Sequence, residues 1–80
     1  MKQAIKQFKD RVEDIILKDN FTVEQDKVGE TYINYLYVDN VRFMFKECYR
    51  AIELWSIEVS ILIENEEAVE LIKGKLNINN

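Results

Sequence analysis

The sequence contains no histidine and no proline, one cysteine, one tryptophan and two glycines. Without histidine the chain lacks the usual general base, the commonest metal ligand and the ordinary switch near neutral pH. Without proline it has no slow X-Pro isomerisation and no proline-set turn. The lone Cys48 has no partner for an internal disulfide, which fits a reducing compartment. Gly29 and Gly74 stand too far apart to build a phosphate-cradling loop. No apolar run approaches the ~20 residues of a membrane span. The opening MKQAIKQFKDRVED is charged and amphipathic, with no signal-peptide core. These absences predict a soluble, cytoplasmic chain with no cofactor, no metal and no membrane partner. They make an enzyme the least favoured class.

What is present predicts one small folded domain over residues 1–80. A hydrophobic content of 48% is enough for a single core. A chain this short leaves a large part of its surface unburied, so stability should be marginal, ~5 kcal/mol. The net charge of −4 is unevenly spread. Arg42, Lys46 and Arg50 make residues 40–52 locally basic. Glu53, Glu58, Glu64, Glu66, Glu67 and Glu70 make residues 53–70 wholly acidic. An acidic chain repels duplex phosphates, which disfavours a general nucleic-acid binder.

Residues 2–19 read as a helix, because Ile5, Phe8, Val12, Ile15 and Ile16 recur on one helical face. Asp14 and Lys18 are a correctly oriented i,i+4 pair, and Asn20 suits a left-handed helix end. Residues 21–27 alternate as a strand, with Phe21 and Val23 on one side. A turn at Val28-Gly29 would set Phe21 against Leu36 and Val23 against Asn34. Residues 31–38 form the next strand, and Asp39-Asn40 makes a two-residue hairpin turn. That turn pairs Val38 with Val41, Leu36 with Phe43 and Asn34 with Phe45 on the inner face. On the outer face it pairs Tyr37 with Arg42, Tyr35 with Met44 and Ile33 with Lys46. Residues 47–53 read as a loop, with a short helix as the alternative. From Trp55 the alternation resumes as one long strand. Trp55, Ile57, Val59, Ile61 and Ile63 face inward, and Leu62 breaks the polar outer face. The matching register would place Arg42 opposite Glu58. Asn65 is a good N-cap for a last helix, with Glu66 and Glu67 in its first turn and Ala68, Val69, Leu71, Ile72 and Leu76 as its apolar stripe. Gly74 either ends or weakens that helix, and the NINN tail should fray. The expected fold is α+β: α-β-β-β-β-α, an antiparallel meander with two helices packed on one face.

Few residues stand out for chemistry. Cys48 has Lys46 and Arg50 near it in sequence but no histidine to activate it, so it reads as structural. Glu64, Glu66, Glu67 and Glu70 lack the spacing of a calcium loop, and the helix dipole accounts for Glu66 and Glu67. The outer sheet face is more informative. Ile33, Tyr35, Tyr37 and Met44, with Leu54 as a further candidate, lie among Arg42 and Lys46 on a face that should be polar. Strand propensity alone favours tyrosine on a sheet. Tyrosine and methionine are also favoured at interfaces, which makes Ile33, Tyr35, Tyr37, Arg42, Met44 and Lys46 the candidate partner-binding set.

The helix–strands–helix order resembles the double-stranded-RNA-binding domain. That family places bases near its last helix, where this chain has Glu64, Glu66, Glu67 and Glu70, so RNA binding does not carry over. An acidic domain of this size, opening with a helix, running through a β-meander and closing with a helix, also resembles some small phage-encoded anti-CRISPR proteins. The likeness lies in element order, size and charge sign. It implies a non-enzymatic protein that binds a host nuclease, with the six carboxylates from Glu53 to Glu70 as a second candidate surface that mimics phosphates. The sequence therefore predicts a non-enzymatic protein-binding module, with inhibition of a defence protein as one form of it. The alternatives are a self-associating domain and a weak single-stranded nucleic-acid binder that stacks bases on Tyr35 and Tyr37.

Overall fold

Tight turns divide the middle of the chain into five strands, one more than the sequence pattern predicts. The computed structural model describes residues 2–78, without the side chains of Lys2 and Ile78. Its elements run α1 (Lys2–Leu17), β1 (Phe21–Val28), β2 (Thr31–Val38), β3 (Val41–Cys48), β4 (Ala51–Trp55), β5 (Ser60–Ile63) and α2 (Glu66–Ile78). The strands form one antiparallel sheet in the order β1-β2-β3-β4-β5. This is an α+β fold with an open meander sheet, and both helices pack on the same face of it. The helices also contact each other, with α1 reaching β2 and β5 and α2 reaching β1 and β4.

Each turn has a local cause. Gly29 takes a φ of 64°, which costs a glycine little. The first turn is therefore Gly29-Glu30, and the register differs by two residues from the expected one. Phe21 opposes Val38 and Val23 opposes Leu36. A shift of two keeps every side chain on its expected face. Asp39 and Asn40 both take positive φ, 49° and 66°, as a type I′ hairpin requires. Val38–Val41, Leu36–Phe43, Asn34–Phe45, Tyr37–Arg42 and Tyr35–Met44 all pair as the sequence predicts. The ladder ends at Asn34–Phe45, so the expected Ile33–Lys46 pair lies one step beyond it.

The expected loop over residues 47–53 is absent. β3 continues to Cys48, the chain turns at Tyr49-Arg50, and β4 begins at Ala51. Arg50 makes this possible by taking a φ of 63°, rare for a residue with a side chain. The expected long strand is also broken. Residues Ser56–Val59 form a turn, closed by the Ser56 amide donating to the Val59 carbonyl at 2.7 Å. The Ser56 hydroxyl oxygen accepts from the Val59 amide at 3.2 Å. This turn reverses the phase of the preceding residues. Leu54 is fully buried, whereas Trp55 lies outward opposite Met44 and Ser60. Ile57, expected in the core, stands at the tip of the turn wholly exposed. Arg42 does not pair with Glu58 in the ladder; Lys46 faces Glu53 instead.

Between sheet and helices lies one core of Val12, Ile16, Phe21, Val23, Leu36, Val38, Phe43, Phe45, Ile52, Leu54, Ile61, Ile63, Ala68, Val69, Ile72 and Leu76. Burying each large side chain here contributes roughly 1.5–3 kcal/mol against the entropy of ordering the chain. Phe8 tilts against Phe43 with ring centroids 6.0 Å apart. Ile5 continues the helical stripe but is exposed, lining an open groove with Val41, Ile57 and Val59.

The helix ends follow from capping chemistry. The amides of Asp19 and Asn20 donate to the carbonyls of Ile16 and Ile15, a Schellman pattern. Asp19, with a φ of 62°, takes the left-handed position that the sequence suggests for Asn20. Asp14 and Lys18 pair at 2.9 Å as expected. At α2 the Asn65 Oδ1 accepts from the amides of Glu67 and Ala68 at 3.0 and 3.3 Å. Gly74 does not end α2, which runs on through Asn77 and Ile78 of the expected frayed tail. The last two residues of that tail lie outside the described residues. Lys75 reaches across to Asp19 at 2.7 Å and donates to the Phe21 carbonyl, tying α2 to the start of β1.

Candidate interaction face

The face of the sheet turned away from the helices is built from alternate residues of all five strands. Its central row runs Glu24–Tyr35–Met44–Trp55–Ser60, each residue directly opposite the next. Neighbouring strands lie about 4.8 Å apart, so the row spans ~19 Å. On one side is the row Thr22–Tyr37–Arg42. On the other side Asp26 faces Ile33, and Lys46, Glu53 and Leu62 lie in line across β3, β4 and β5. Tyr35, Tyr37 and Ile33 are half-buried by their neighbours, while Met44, Trp55 and Leu62 are exposed at 50, 36 and 39%. Together they make an apolar and aromatic patch of a few hundred Å² across the middle of the sheet.

Charged groups frame this patch and fix its aromatic rings. The Arg42 guanidinium sits 5.3 Å from the centre of the Tyr35 ring, a cation–π contact. The Tyr37 hydroxyl donates to a Glu24 carboxylate oxygen at 3.3 Å. Glu53, half-buried on β4, lies between Lys46 and Leu62. Bases therefore stand on the central strand β3, and acids stand on β1 and β4.

The structure brings Ile33, Tyr35, Tyr37, Arg42, Met44 and Lys46 onto this one face. Leu54 is not among them, since it is buried on the helix side. Trp55 takes its place and joins Tyr35 and Met44 into a single row. The sequence pattern places Trp55 inward, at the start of one long strand after a loop over residues 47–53, because the turns at Tyr49-Arg50 and Ser56–Val59 are not evident from composition. Leu62, the apolar break in the polar outer pattern, completes the patch toward β5.

The six carboxylates of residues 53–70 do not converge. Glu53 lies on the uncovered face, Glu58 at the tip of the β4–β5 turn and Glu64 just beyond β5. Glu66, Glu67 and Glu70 lie on α2, across the sheet from Glu53. Glu66 and Glu70 share a groove of about 600 Å³ with Arg50 and Lys73, whose charges offset theirs. Cys48 and Tyr49 close the groove at the β3–β4 turn, where Arg50 stacks 5.0 Å from the Tyr49 ring. Among the described residues, no group of three or more His, Cys, Asp and Glu is placed to hold a metal ion. No helix among them is long and apolar enough to cross a membrane. No family model matches the chain, and no curated protein and no solved structure shows significant similarity to it.

Proposed function

We propose that this chain is a non-enzymatic protein-binding module whose working surface is the uncovered face of the sheet. The observation that carries this reading is the row Tyr35–Met44–Trp55, three large side chains side by side where a solvated sheet ordinarily presents polar groups. Tyrosine, tryptophan, methionine and arginine are the residue types that interface centres favour. Arg42 and Glu24 already hold the tyrosines in place, so docking would cost little side-chain entropy. Covering a partner's working surface in this way suffices for inhibition, including that of a host nuclease or other defence protein. The spread of the carboxylates over both sides of the sheet favours the aromatic face over phosphate mimicry as the source of affinity. Glu24, Asp26 and Glu53 on the same face oppose a nucleic-acid strand there.

The test compares capture from host cells by three immobilised proteins: the wild type, a Tyr35→Ser/Trp55→Ser variant and a Glu66→Gln/Glu70→Gln variant. Mass spectrometry identifies the partner. The face variant should lose it while keeping its circular dichroism, and the α2 variant should retain it. Binding by wild type should survive ~0.5 M salt, which screens exposed charges. Retention by a folded face variant refutes the reading, and loss only in the α2 variant moves the site to the carboxylates.

A further inference from the structure

The two edges of the sheet are built differently. Edge strand β1 carries Glu24, Asp26 and Lys27, the charges that ordinarily protect an edge from pairing. Edge strand β5 is Ser60-Ile61-Leu62-Ile63 and has no charged residue. It pairs with β4 on one side, and among the described residues no strand pairs with it on the other. The β4–β5 hydrogen-bond pattern is set by the turn, where Ser56 and Val59 are bonded to each other. Antiparallel pairs alternate between bonded and non-bonded, so Trp55–Ser60 and Glu53–Leu62 are the non-bonded pairs. The amides and carbonyls of Ser60 and Leu62 therefore point away from β4, toward solvent. Four backbone groups in register are the template for an added strand.

We propose that β5 accepts an extended segment of a partner protein as a sixth strand, and that this segment carries lysine or arginine at both ends of a short apolar run. Charge selects this occupant. Glu58 and Glu64 stand at the two ends of β5, and in an antiparallel complex each faces one flank of the added strand. A second copy of this chain is a poorer partner in the register centred on Ile61: bonding Ser60 to Leu62 of the other copy sets Glu58 directly against Glu64, and like charges directly opposite are destabilising. The side chains fit the same occupant. Ser60 is small beside Trp55, which leaves a notch where an apolar side chain of the added strand can lie across Ser60 onto the indole. The edge adjoins the sheet face at Trp55, Ser60 and Leu62, but its backbone groups point along the plane of the sheet, away from Tyr35 and Tyr37.

The test is amide hydrogen exchange and chemical-shift mapping by NMR. The probe is a seven-residue peptide of alternating valine and threonine with lysine at both ends, long enough to span Glu58 to Glu64. Its glutamate-ended counterpart is the control. The lysine-ended peptide should slow exchange at Ser60 and Leu62 and leave Ile61 and Ile63, already bonded to β4, unchanged. It should bind at least ~10-fold more tightly than the glutamate-ended peptide at low salt, a difference of about 1.4 kcal/mol. Leu62→Pro and Ser60→Pro each remove one outward amide at an edge position where proline is tolerated, and each should abolish binding. Tyr35→Ser should bind the peptide like wild type, which separates failure of the edge from failure of the face. Three results would overturn the proposal: no protection of Ser60 and Leu62 in wild type, equal binding of the two peptides, or protection at high protein concentration without peptide.

Discussion

Replacing Leu54 and Trp55 one at a time tests the strand phase on which the interaction face depends. The two are neighbours on β4, one fully buried and the other exposed at 36%. Leu54→Ala removes buried methyl groups from between sheet and helices, which typically costs 2–5 kcal/mol. Trp55→Ala removes a side chain that no helix covers. It forfeits a cross-strand contact with Met44, roughly 0.2–1 kcal/mol, plus minor lateral packing. A domain of this size holds about 4–12 kcal/mol in all, so the first change consumes a large share of it. With a urea m-value of ~1 kcal/mol/M, a loss of ~3 kcal/mol lowers the unfolding midpoint by ~3 M, against ~1 M or less for Trp55→Ala. Far-UV circular dichroism is the readout, since it does not depend on the tryptophan. Ile52→Val, at about 0.5–1.5 kcal/mol, gives a measurable inner-face value if Leu54→Ala does not fold. The opposite phase, with Trp55 inside and Leu54 outside, predicts the reverse order. A Trp55 variant that loses more stability than the Leu54 variant would refute the assignment.

Further changes test the turns, the cap and the exposure of the face. Arg50→Gly should raise stability by ~1 kcal/mol, because Arg50 holds a left-handed φ that glycine adopts freely; urea unfolding measures it. Asn40→Gly should raise it by a smaller amount, since Asp-Gly is a preferred sequence for this hairpin turn, and a fall in the midpoint would contradict the turn. Asn65→Ala should cost ~1 kcal/mol by removing the acceptor for the Glu67 and Ala68 amides, visible as a lower midpoint with unchanged m-value. Trp55, the single tryptophan and 36% exposed, should be quenched by acrylamide to a degree intermediate between an unfolded and a buried indole; an indole that acrylamide does not reach would place it in the core.

The parts of the fold legible in the sequence are those where local chemistry and hydrophobic period agree. The α1 stripe from Phe8 to Ile16, the Asn65 cap and the Asp39-Asn40 hairpin each had both signals, and so did the pairing of Tyr35 with Met44. The turns at Tyr49-Arg50 and Ser56–Val59 were hidden for a physical reason. Arginine rarely adopts positive φ, and Ser-Ile-Glu-Val reads as strand because isoleucine and valine favour it. Only the bonded ladder on both sides makes these residues turn. Missing one turn inverted the phase of the residues between them, which exchanged Leu54 and Trp55 between the two faces. The outer patch was therefore found through Tyr35, Tyr37 and Met44 but without its tryptophan. Nothing local could show that β5 is an edge free of charge, because edge position belongs to the whole sheet.

Oxidative footprinting of the chain, alone and with its captured partner, tests the central claim most directly. Tyr35, Tyr37, Met44 and Trp55 report the uncovered face, and Tyr49, 86% exposed at the β3–β4 turn, reports the far end of the sheet. The partner should protect the first four side chains together and leave Tyr49 as reactive as before. Protection of Tyr49 with the four face residues unchanged would contradict it.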